Sequence, residues 1–329
     1  MKWLLCMLGM MGLLHAKAPA YDPMKTAAKT VRTELLEHRD EKRQRTIPLR
    51  VYLPSGESSA PVILFSHGLG GSRDNNPYLG EHWAKRGYVV VFVQHPGSDE
   101  SVWQDARMLE RMSQMKKAAS LENLALRCAD VPAVLDALTV WNKQRGHVLH
   151  GRMNLEKIGM SGHSFGAVTT QAVVGQNCRS LGPLYQESRV DAALMFSPSP
   201  PQWGDPAGAF SAIKVPCLLM TGTLDTSPIG GTSAEDRLKV FPHLSLAPAW
   251  QVVFDGATHG SFGQREISGK KIGQEIVGSR YHPAILALST AFWDAQLRDD
   301  KNARAWLDGD AARKVLLPAD QWEKKPTRN

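Results

Sequence analysis

Short apolar runs alternate along the chain with longer stretches in which apolar and polar positions are mixed. Uninterrupted apolar runs of this length are typical of strands that are buried on both faces of a sheet. We predict buried strands at residues 61–65, 88–93, 190–196, 215–221 and 250–254. One more buried strand is predicted to end near residue 160.

The mixed stretches predict helices and an N-terminal hairpin. Apolar positions recur at helical spacing in residues 76–86, 121–141 and 283–297, and each stretch predicts an amphipathic helix. Residues 31–40 and 46–53 flank a polar turn, which is the pattern of an antiparallel hairpin. Strands that alternate with helices favour an α/β fold. We expect a mostly parallel central sheet with helices on both faces, entered by the hairpin.

The spacing of these segments predicts a single domain over residues 19–329. About 14 residues connect the strand segment at 190–196 and its loop to the strand at 215–221. This connection is too short for a cap domain, so we expect none. The charged C-terminal tail, from about residue 299, is predicted to be peripheral.

Residues 1–18 differ in character from the rest of the chain. Lys2 makes a short positive n-region, residues 3–14 form an apolar run of 12 residues, and Ala16-Lys17-Ala18 offers an A-x-A cleavage site. The run is shorter than the ~20 residues that span a bilayer. We therefore expect a cleaved signal peptide, no transmembrane segment, and a secreted or periplasmic mature protein.

Composition and charge narrow the choice of partners. Hydrophobic residues are 43% and charged residues 22% of the 329 residues, which is ordinary for a globular protein. The net charge of +7 is spread along the chain, so we expect no nucleic-acid partner. Without a Cys/His cluster we expect no metal or cofactor. Whether Cys128 and Cys178 pair after export stays open, as does the oligomeric state.

The segment Gly162-His163-Ser164-Phe165-Gly166 fits the pattern G-x-S-x-G between a predicted strand and a predicted helix. That context is what a nucleophile elbow requires, because the tight turn lifts the serine hydroxyl above the sheet. Glycine neighbours allow other backbone to approach the strained serine closely. We therefore predict that Ser164 is a nucleophile, and not an idle serine in a glycine-rich turn.

A serine hydroxyl is a poor nucleophile near neutral pH and needs a base that is oriented by an acid. With this elbow, the partners follow in the order serine, acid, histidine on loops after later strands. Asp225 and His259 each lie just beyond a predicted strand, so we predict the catalytic triad Ser164, Asp225 and His259. Asp255 is the weaker alternative for the acid, since pairing within one loop would strain the geometry.

Acyl transfer also needs N–H donors for the oxyanion of the tetrahedral intermediate. Phe165 N–H, directly after the nucleophile, is one predicted donor. The second is expected from His67-Gly68-Leu69-Gly70-Gly71, which follows the first apolar strand, and Leu69 N–H is the predicted donor. His67 itself is predicted to brace this turn.

Two further residues are candidates for the substrate pocket. His95 ends a strand at the edge of the sheet where the site is expected, and it is either a pocket wall or structural. Trp103 lies in a polar insertion at residues 101–120, where methionines recur at helical spacing. This insertion either packs onto the domain or forms a lid that lines the site.

The elbow Gly162–Gly166, together with Phe65-Ser66-His67-Gly68-Leu69-Gly70, resembles the platelet-activating-factor acetylhydrolase and predicted dienelactone-hydrolase branch of the α/β-hydrolases. The resemblance covers about residues 50–297. It implies an α/β-hydrolase fold and ester hydrolysis, with the same triad and oxyanion donors. Ser164 stands where dienelactone hydrolases proper have cysteine, so lactone chemistry is not implied. Secreted polyester hydrolases are a neighbouring group, in which Trp203 would be either an aromatic pocket wall or a surface-packing residue.

The leading hypothesis is a secreted serine carboxylester hydrolase that acts through an acyl-enzyme on short-acyl esters, either small molecules or lipid-like. Bulky side chains at Leu69 and Phe165, close to the nucleophile, favour a shallow acyl pocket. An acyltransferase that uses the same acyl-enzyme is one alternative, and a lipase or polyester hydrolase is another. A non-catalytic binding module is a remote alternative, because such a module would have a broken triad or oxyanion loop and this sequence keeps both.

Overall fold

The computed structural model describes residues 20–27, 30–56, 58–202, 204–264, 266–267, 270–271 and 280–325. The predicted signal peptide at residues 1–18 and the pocket candidate Trp203 lie outside these described residues.

The strands and helices predicted from the hydrophobic pattern occur in the expected order, and the described chain contains further short helices and strands. The strands are β1 (Arg32–Asp40), β2 (Arg45–Leu53), β3 (Ala60–Ser66), β4 (Val89–Val93), β5 (Met153–His163), β6 (Ala192–Phe196), β7 (Cys217–Leu224), β8 (Ala249–Thr258), β9 (Glu266–Ile267), β10 (Lys270–Lys271) and β11 (Gln321–Lys325). The helices are α1 (Pro77–Arg86), α2 (Ser101–Gln104), α3 (Met108–Ala118), α4 (Leu121–Lys143), α5 (Phe165–Val173), α6 (Pro206–Phe210), α7 (Ala234–Arg237), α8 (His282–Leu297), α9 (Lys301–Asp308) and α10 (Asp310–Lys314).

The central sheet has the strand order β1-β2-β4-β3-β5-β6-β7-β8-β11. Strands β3 to β8 are parallel to one another. The β1–β2 hairpin joins β4 in antiparallel fashion. Strands β4 and β6 are buried at every position, as expected for parallel strands that are covered on both faces. The prediction of an α/β-hydrolase fold entered by a hairpin is confirmed.

Helices cover both faces of this sheet. On one face, Trp83 of α1 meets Trp293 of α8 edge-on, with ring centroids 5.8 Å apart. On the other face, apolar side chains of α4 and α5, among them Val131 and Val173, pack onto the sheet. The described residues between β6 and β7 contain one short helix, α6, and no additional layer. Among the described residues, no helix is both long and apolar enough to cross a membrane.

The structure corrects the prediction that the segment from about residue 299 is peripheral. Ala303 and Leu307 of α9 and Ala312 of α10 are fully buried. Strand β11 pairs antiparallel with β8 and becomes an edge strand of the central sheet. These buried apolar positions are few and lie in a segment rich in charged residues, so the segment has only one narrow packing face.

Candidate active site

Ser164 lies in the turn between β5 and α5 with φ 56° and ψ −115°. This positive φ is strained for a residue with a side chain. The turn also needs both flanking glycines. A Cβ at Gly162 would lie 2.3 Å from Gly166 O, and a Cβ at Gly166 would lie 1.9 Å from Ser66 O. The G-x-S-x-G pattern is therefore required by backbone packing, as an elbow demands.

The structure brings the three predicted triad residues together. Asp225 follows β7, and His259 begins a 3-10 turn directly after β8. His259 Nε2 lies 2.9 Å from Ser164 Oγ, and His259 Nδ1 lies 2.7 Å from Asp225 Oδ1. A carboxylate only accepts, so Nδ1 carries the proton and Nε2 is left to accept from the serine hydroxyl. This is the arrangement that a general base needs.

Asp225 is held in its ionised form. Burial alone would raise the pKa of Asp225, but the hydrogen bond with His259 and the positive charge of Arg237 hold it at about 2. Thr221 Oγ1 also donates to Asp225 Oδ2 at 2.8 Å. The alternative acid, Asp255, is exposed and does not pair with His259 among the described contacts. Of the two candidate acids, Asp225 is therefore the one that contacts His259.

Arg237 is a residue of this site that the sequence pattern does not reveal. It is buried at the end of α7, and its Nε lies 3.3 Å from Asp225 Oδ1. Its Nη1 donates to Ser197 O at 2.8 Å and to Ser199 Oγ at 2.6 Å. The guanidinium therefore ties the loop after β6 to the acid. In sequence it looks like an ordinary surface arginine on a short polar helix.

His163 braces the loop that carries His259. Its Nε2 lies 3.1 Å from the His259 carbonyl oxygen and donates to it, and the two rings lie 4.8 Å apart. Burial and the neighbouring His259 lower the pKa of His163 to about 3. His163 is therefore neutral, and its ring packs beside the site.

The predicted oxyanion donors face the same cleft. Leu69 and Phe165 line it together with Ser164 and His259. A Cβ on Gly68 would lie 3.5 Å from Ser164 Cβ, so the loop after β3 touches the nucleophile. Phe165 is the first residue of α5, where the N–H has no partner within the helix. Neither N–H has a hydrogen-bond acceptor within the described part of the chain.

His67 orients the peptide that ends in the Leu69 amide. Its Nε2 accepts from His95 N at 3.0 Å, so Nδ1 carries the proton and donates to Gly68 O at 2.6 Å. Gly71 N donates to the same oxygen at 3.0 Å. The C=O and N–H of a trans peptide point in opposite directions. Holding Gly68 O therefore directs the Leu69 N–H and polarises it.

His95 does not line the cleft, which corrects its assignment to the pocket. It is fully buried behind the predicted oxyanion loop (residues 67–71), where its N–H donates to His67. Its Nε2 lies 2.9 Å from Ser66 Oγ and its Nδ1 lies 2.9 Å from Asp130 Oδ2. These are the residue types of a catalytic triad, but all three are fully buried. A substrate cannot reach this second series, so it is structural.

The insertion at residues 101–120 forms α2 and α3 and packs onto the oxyanion loop. Trp103 lies outside the cleft lining, and its indole N–H donates to Gly70 O at 2.8 Å. A Cβ on Gly70 would lie 2.5 Å from Met115 Cε, and Met115 also lines the cleft. Met108 and Met112 point to solvent, with 82% and 49% of their surface exposed. The insertion thus contributes Met115, Ala119 and Ser120 to the cleft lining, and Met115 is the one methionine of its predicted face that does so.

The cleft above Ser164 has a volume of about 1260 Å³, which is large for a small-molecule site. Its rim is apolar and open to solvent: Leu121, Leu181 and Leu184 line it and are more than half exposed.

The cysteines Cys128, Cys178 and Cys217 are free thiols, so Cys128 and Cys178 are not joined in this structure. Within the described residues, no group of His, Cys, Asp or Glu side chains is suited to a metal ion.

The fold and the site together define an α/β-hydrolase with a hydrogen-bonded Ser-His-Asp series. Residues 51–119 match the family model described as platelet-activating factor acetylhydrolase, isoform II. The matched segment includes β3, the oxyanion loop and both insertion helices, and it ends before Ser164. None of the curated proteins matches the chain significantly. The family match confirms the resemblance drawn from the two motifs. It supports, in general terms, a serine hydrolase that acts on esters.

Proposed function

We propose that this protein is a secreted serine carboxylester hydrolase that works through an acyl-enzyme. One observation carries the proposal: the series Ser164 Oγ, His259 and Asp225, joined at 2.9 Å and 2.7 Å, opens into a cleft beside two unused N–H groups. Family similarity supports the ester class.

In the first half of the reaction, Ser164 Oγ attacks the carbonyl carbon of the ester while His259 Nε2 takes its proton. The carbonyl oxygen becomes an oxyanion and accepts hydrogen bonds from Leu69 N–H and Phe165 N–H. Asp225 stays ionised and stabilises the imidazolium. The intermediate then collapses, the C–O bond to the alcohol breaks, and His259 returns the proton to the departing alkoxide oxygen.

In the second half, a water molecule attacks the acyl-enzyme. His259 Nε2 takes one proton from the water as its oxygen bonds to the acyl carbon, and the same two N–H groups hold the new oxyanion. Collapse breaks the bond to Ser164 Oγ, which recovers the proton from His259, and the carboxylic acid leaves. If an alcohol replaces the water, the same chemistry gives acyl transfer.

We propose short acyl groups as the preferred substrates. The side chains of Leu69 and Phe165 line the cleft beside the nucleophile and limit the depth available to the acyl chain. The rest of the cleft would take the alcohol part. Each methylene that does not fit should reduce kcat/KM by roughly 10–200-fold.

A larger ester is the second candidate, as in a lipase or polyester hydrolase. The cleft volume of about 1260 Å³ and the exposed apolar rim at Leu121, Leu181 and Leu184 favour it. A series of p-nitrophenyl esters from acetyl to palmitoyl separates the two candidates. We expect the highest kcat/KM from acetyl to butyryl. A maximum at long chains, with a rate increase above the solubility limit, would favour the lipase.

The test of the proposed function is Ser164→Ala. We expect a folded protein without esterase activity, and labelling by a fluorophosphonate probe at Ser164 alone in the wild type. Activity in the alanine variant, or labelling at Ser66 or Ser161, would refute the assignment.

Product analysis with added alcohol measures the share of acyl transfer. N-terminal sequencing of exported protein tests the proposed cleavage after Ala18.

A further inference from the structure

Arg127 of α4 is a fully buried residue behind the proposed oxyanion hole. Among the described residues, it forms no ion pair with a carboxylate. Its Nη2 donates to His67 O, its Nε donates to Thr169 Oγ1 at 2.9 Å, and its Nη1 donates to Ser98 Oγ at 3.0 Å. Burying a charge without a direct counter-charge is unfavourable, so the placement of this guanidinium calls for a physical reason.

Two of the three acceptors hold the loop that carries Leu69. His67 O lies two residues before the Leu69 amide. Ser98 acts on the other side, because Ser98 O accepts from Gly70 N at 2.8 Å. Arg127 therefore fixes the backbone on both sides of the first predicted donor.

The third acceptor leads to the second donor. Thr169 Oγ1 donates to Phe165 O at 2.9 Å, so the chain of hydrogen bonds from Arg127 ends on Phe165, the residue of the second predicted donor. The guanidinium carbon also lies 4.8 Å from the centre of the Phe165 ring, within the range of a cation–π contact. The same guanidinium thus contacts both segments that supply oxyanion donors.

We propose that Arg127 is a positioning residue for the oxyanion hole, which ties the Leu69 loop to the start of α5. This inference rests on the proposed ester hydrolysis at Ser164. Two donors stabilise one oxyanion only when both lie about 2.7–3.1 Å from the same oxygen. The donors here belong to segments far apart in sequence. The planar guanidinium, with its fixed fork of N–H groups, can hold both, whereas a lysine ammonium cannot span the same acceptors in one plane.

The charge of Arg127 adds to its geometric effect. Burial lowers the pKa of Arg127 to about 9, opposed by the charge of Asp130, so the guanidinium is still cationic at neutral pH. A fixed positive charge in a water-poor region interacts more strongly with a developing negative charge than it would in water. It therefore favours the tetrahedral intermediate over the neutral ester.

The test uses Arg127→Met and Arg127→Lys in the full-length protein, with Arg152→Met as the matched control. Arg152 is a partly buried arginine that donates to Pro54 O and is not one of the residues that line the cleft. For Arg127→Met we expect kcat on p-nitrophenyl acetate to fall roughly 10²-fold, as when an oxyanion donor is lost, with KM nearly unchanged. Arg127→Lys should recover part of this loss, and Arg152→Met should behave as the wild type.

A second readout separates positioning from a merely structural role. A trifluoromethyl ketone adds to the serine and forms an oxyanion, whereas the matching methyl ketone binds mainly without addition. Arg127→Met should weaken the binding of the trifluoromethyl ketone by about the same factor as it lowers kcat. The affinity for the methyl ketone should not change. An equal loss for both ketones, or a folded Arg127→Met with wild-type kcat, would overturn the proposal.

If Arg127→Met does not fold, Thr169→Val gives the answer. This variant keeps the shape of the side chain and removes the hydrogen bond to Phe165 O. We expect about a 10-fold lower kcat at constant KM, and wild-type kcat would overturn the proposal. Failure of the underlying function is distinguishable, because wild-type protein would then hydrolyse no ester and leave Ser164 unlabelled. If the wild type is active and Ser164→Ala is inactive, ester hydrolysis at Ser164 stands. The Arg127 and Thr169 variants then test the positioning role alone.

Discussion

Gly166 packs against the backbone of Ser66 so closely that a Cβ at position 166 would lie 1.9 Å from the Ser66 carbonyl oxygen. This contact joins the start of α5 to the end of β3. It thereby sets the distance between the nucleophile and the oxyanion loop. Both partners are backbone, so neither can move aside as a flexible side chain would.

We therefore expect Gly166→Ala to destabilise the protein by about 3 kcal/mol or more. Gly208→Ala is the matched control, since the nearest atom to a Cβ there is 3.9 Å away and alanine favours the helix. Urea unfolding of both variants checks the prediction. If Gly166→Ala were as stable as Gly208→Ala, a Cβ at position 166 would fit without a clash, which would contradict the prediction.

The acid of the triad can be tested by exchanging carboxylates for amides. Asp225→Asn would keep the shape of the side chain but favour the wrong tautomer of His259, so kcat should fall by roughly 10⁴-fold. Asp255→Asn, on the exposed surface, should change kcat little. Steady-state kinetics with a short p-nitrophenyl ester measures both. The reverse ranking would move the acid role to Asp255.

Several buried histidines should make the fold sensitive to acid. Burial lowers the pKa of His95 and of His82 to about 4, below the ~6.5 of an unfolded histidine. The unfolded chain therefore binds more protons below pH 6.5. Stability is fully present above that pH and declines as the pH falls toward 4. Urea unfolding at several pH values should show this slope.

The variant His82→Gln tests how much one of these histidines contributes to the pH dependence of stability. His82 Nε2 lies 3.0 Å from Thr290 Oγ1 between α1 and α8, away from the cleft. The variant should lower the slope of unfolding free energy between pH 6 and 5 by about 1.4 kcal/mol per pH unit. Above pH 7 the slopes of variant and wild type should agree. An unchanged slope in the acid range would mean that His82 titrates normally in the folded protein.

The C-terminal strand should contribute to stability. Deleting residues 321–329 removes β11, leaves β8 with an unpaired edge, and uncovers apolar surface beneath Trp322. We expect a loss of about 2 kcal/mol, the scale of burying one large side chain, and a Tm lower by several degrees. Deleting residues 326–329 alone is the control. Equal Tm values for the two deletions would show that β11 is dispensable.

The sequence by itself predicted the parallel sheet, the elbow and the order of the proposed triad residues. These depend on local information: apolar runs report burial on both faces of a strand, and G-x-S-x-G between strand and helix reports a strained turn. Asp225 and His259 could be located because both follow predicted strands. Parallel strands bring their carboxyl ends to one edge, so chain order alone placed both residues near Ser164.

Only the tertiary structure decided where Arg127, Arg237 and His95 lie, and where β11 pairs. An arginine on an amphipathic helix looks the same in sequence whether it faces water or a buried loop. Arg127 is buried against partners such as His67, which lies 60 residues away along the chain. Arg237 is buried against Asp225, which lies in the segment before its own helix. His95 looked like a pocket residue because it ends a strand at the active edge, but its ring turns inward to Asp130. Side-chain direction and long-range pairing are set by packing between segments, which local periodicity does not encode.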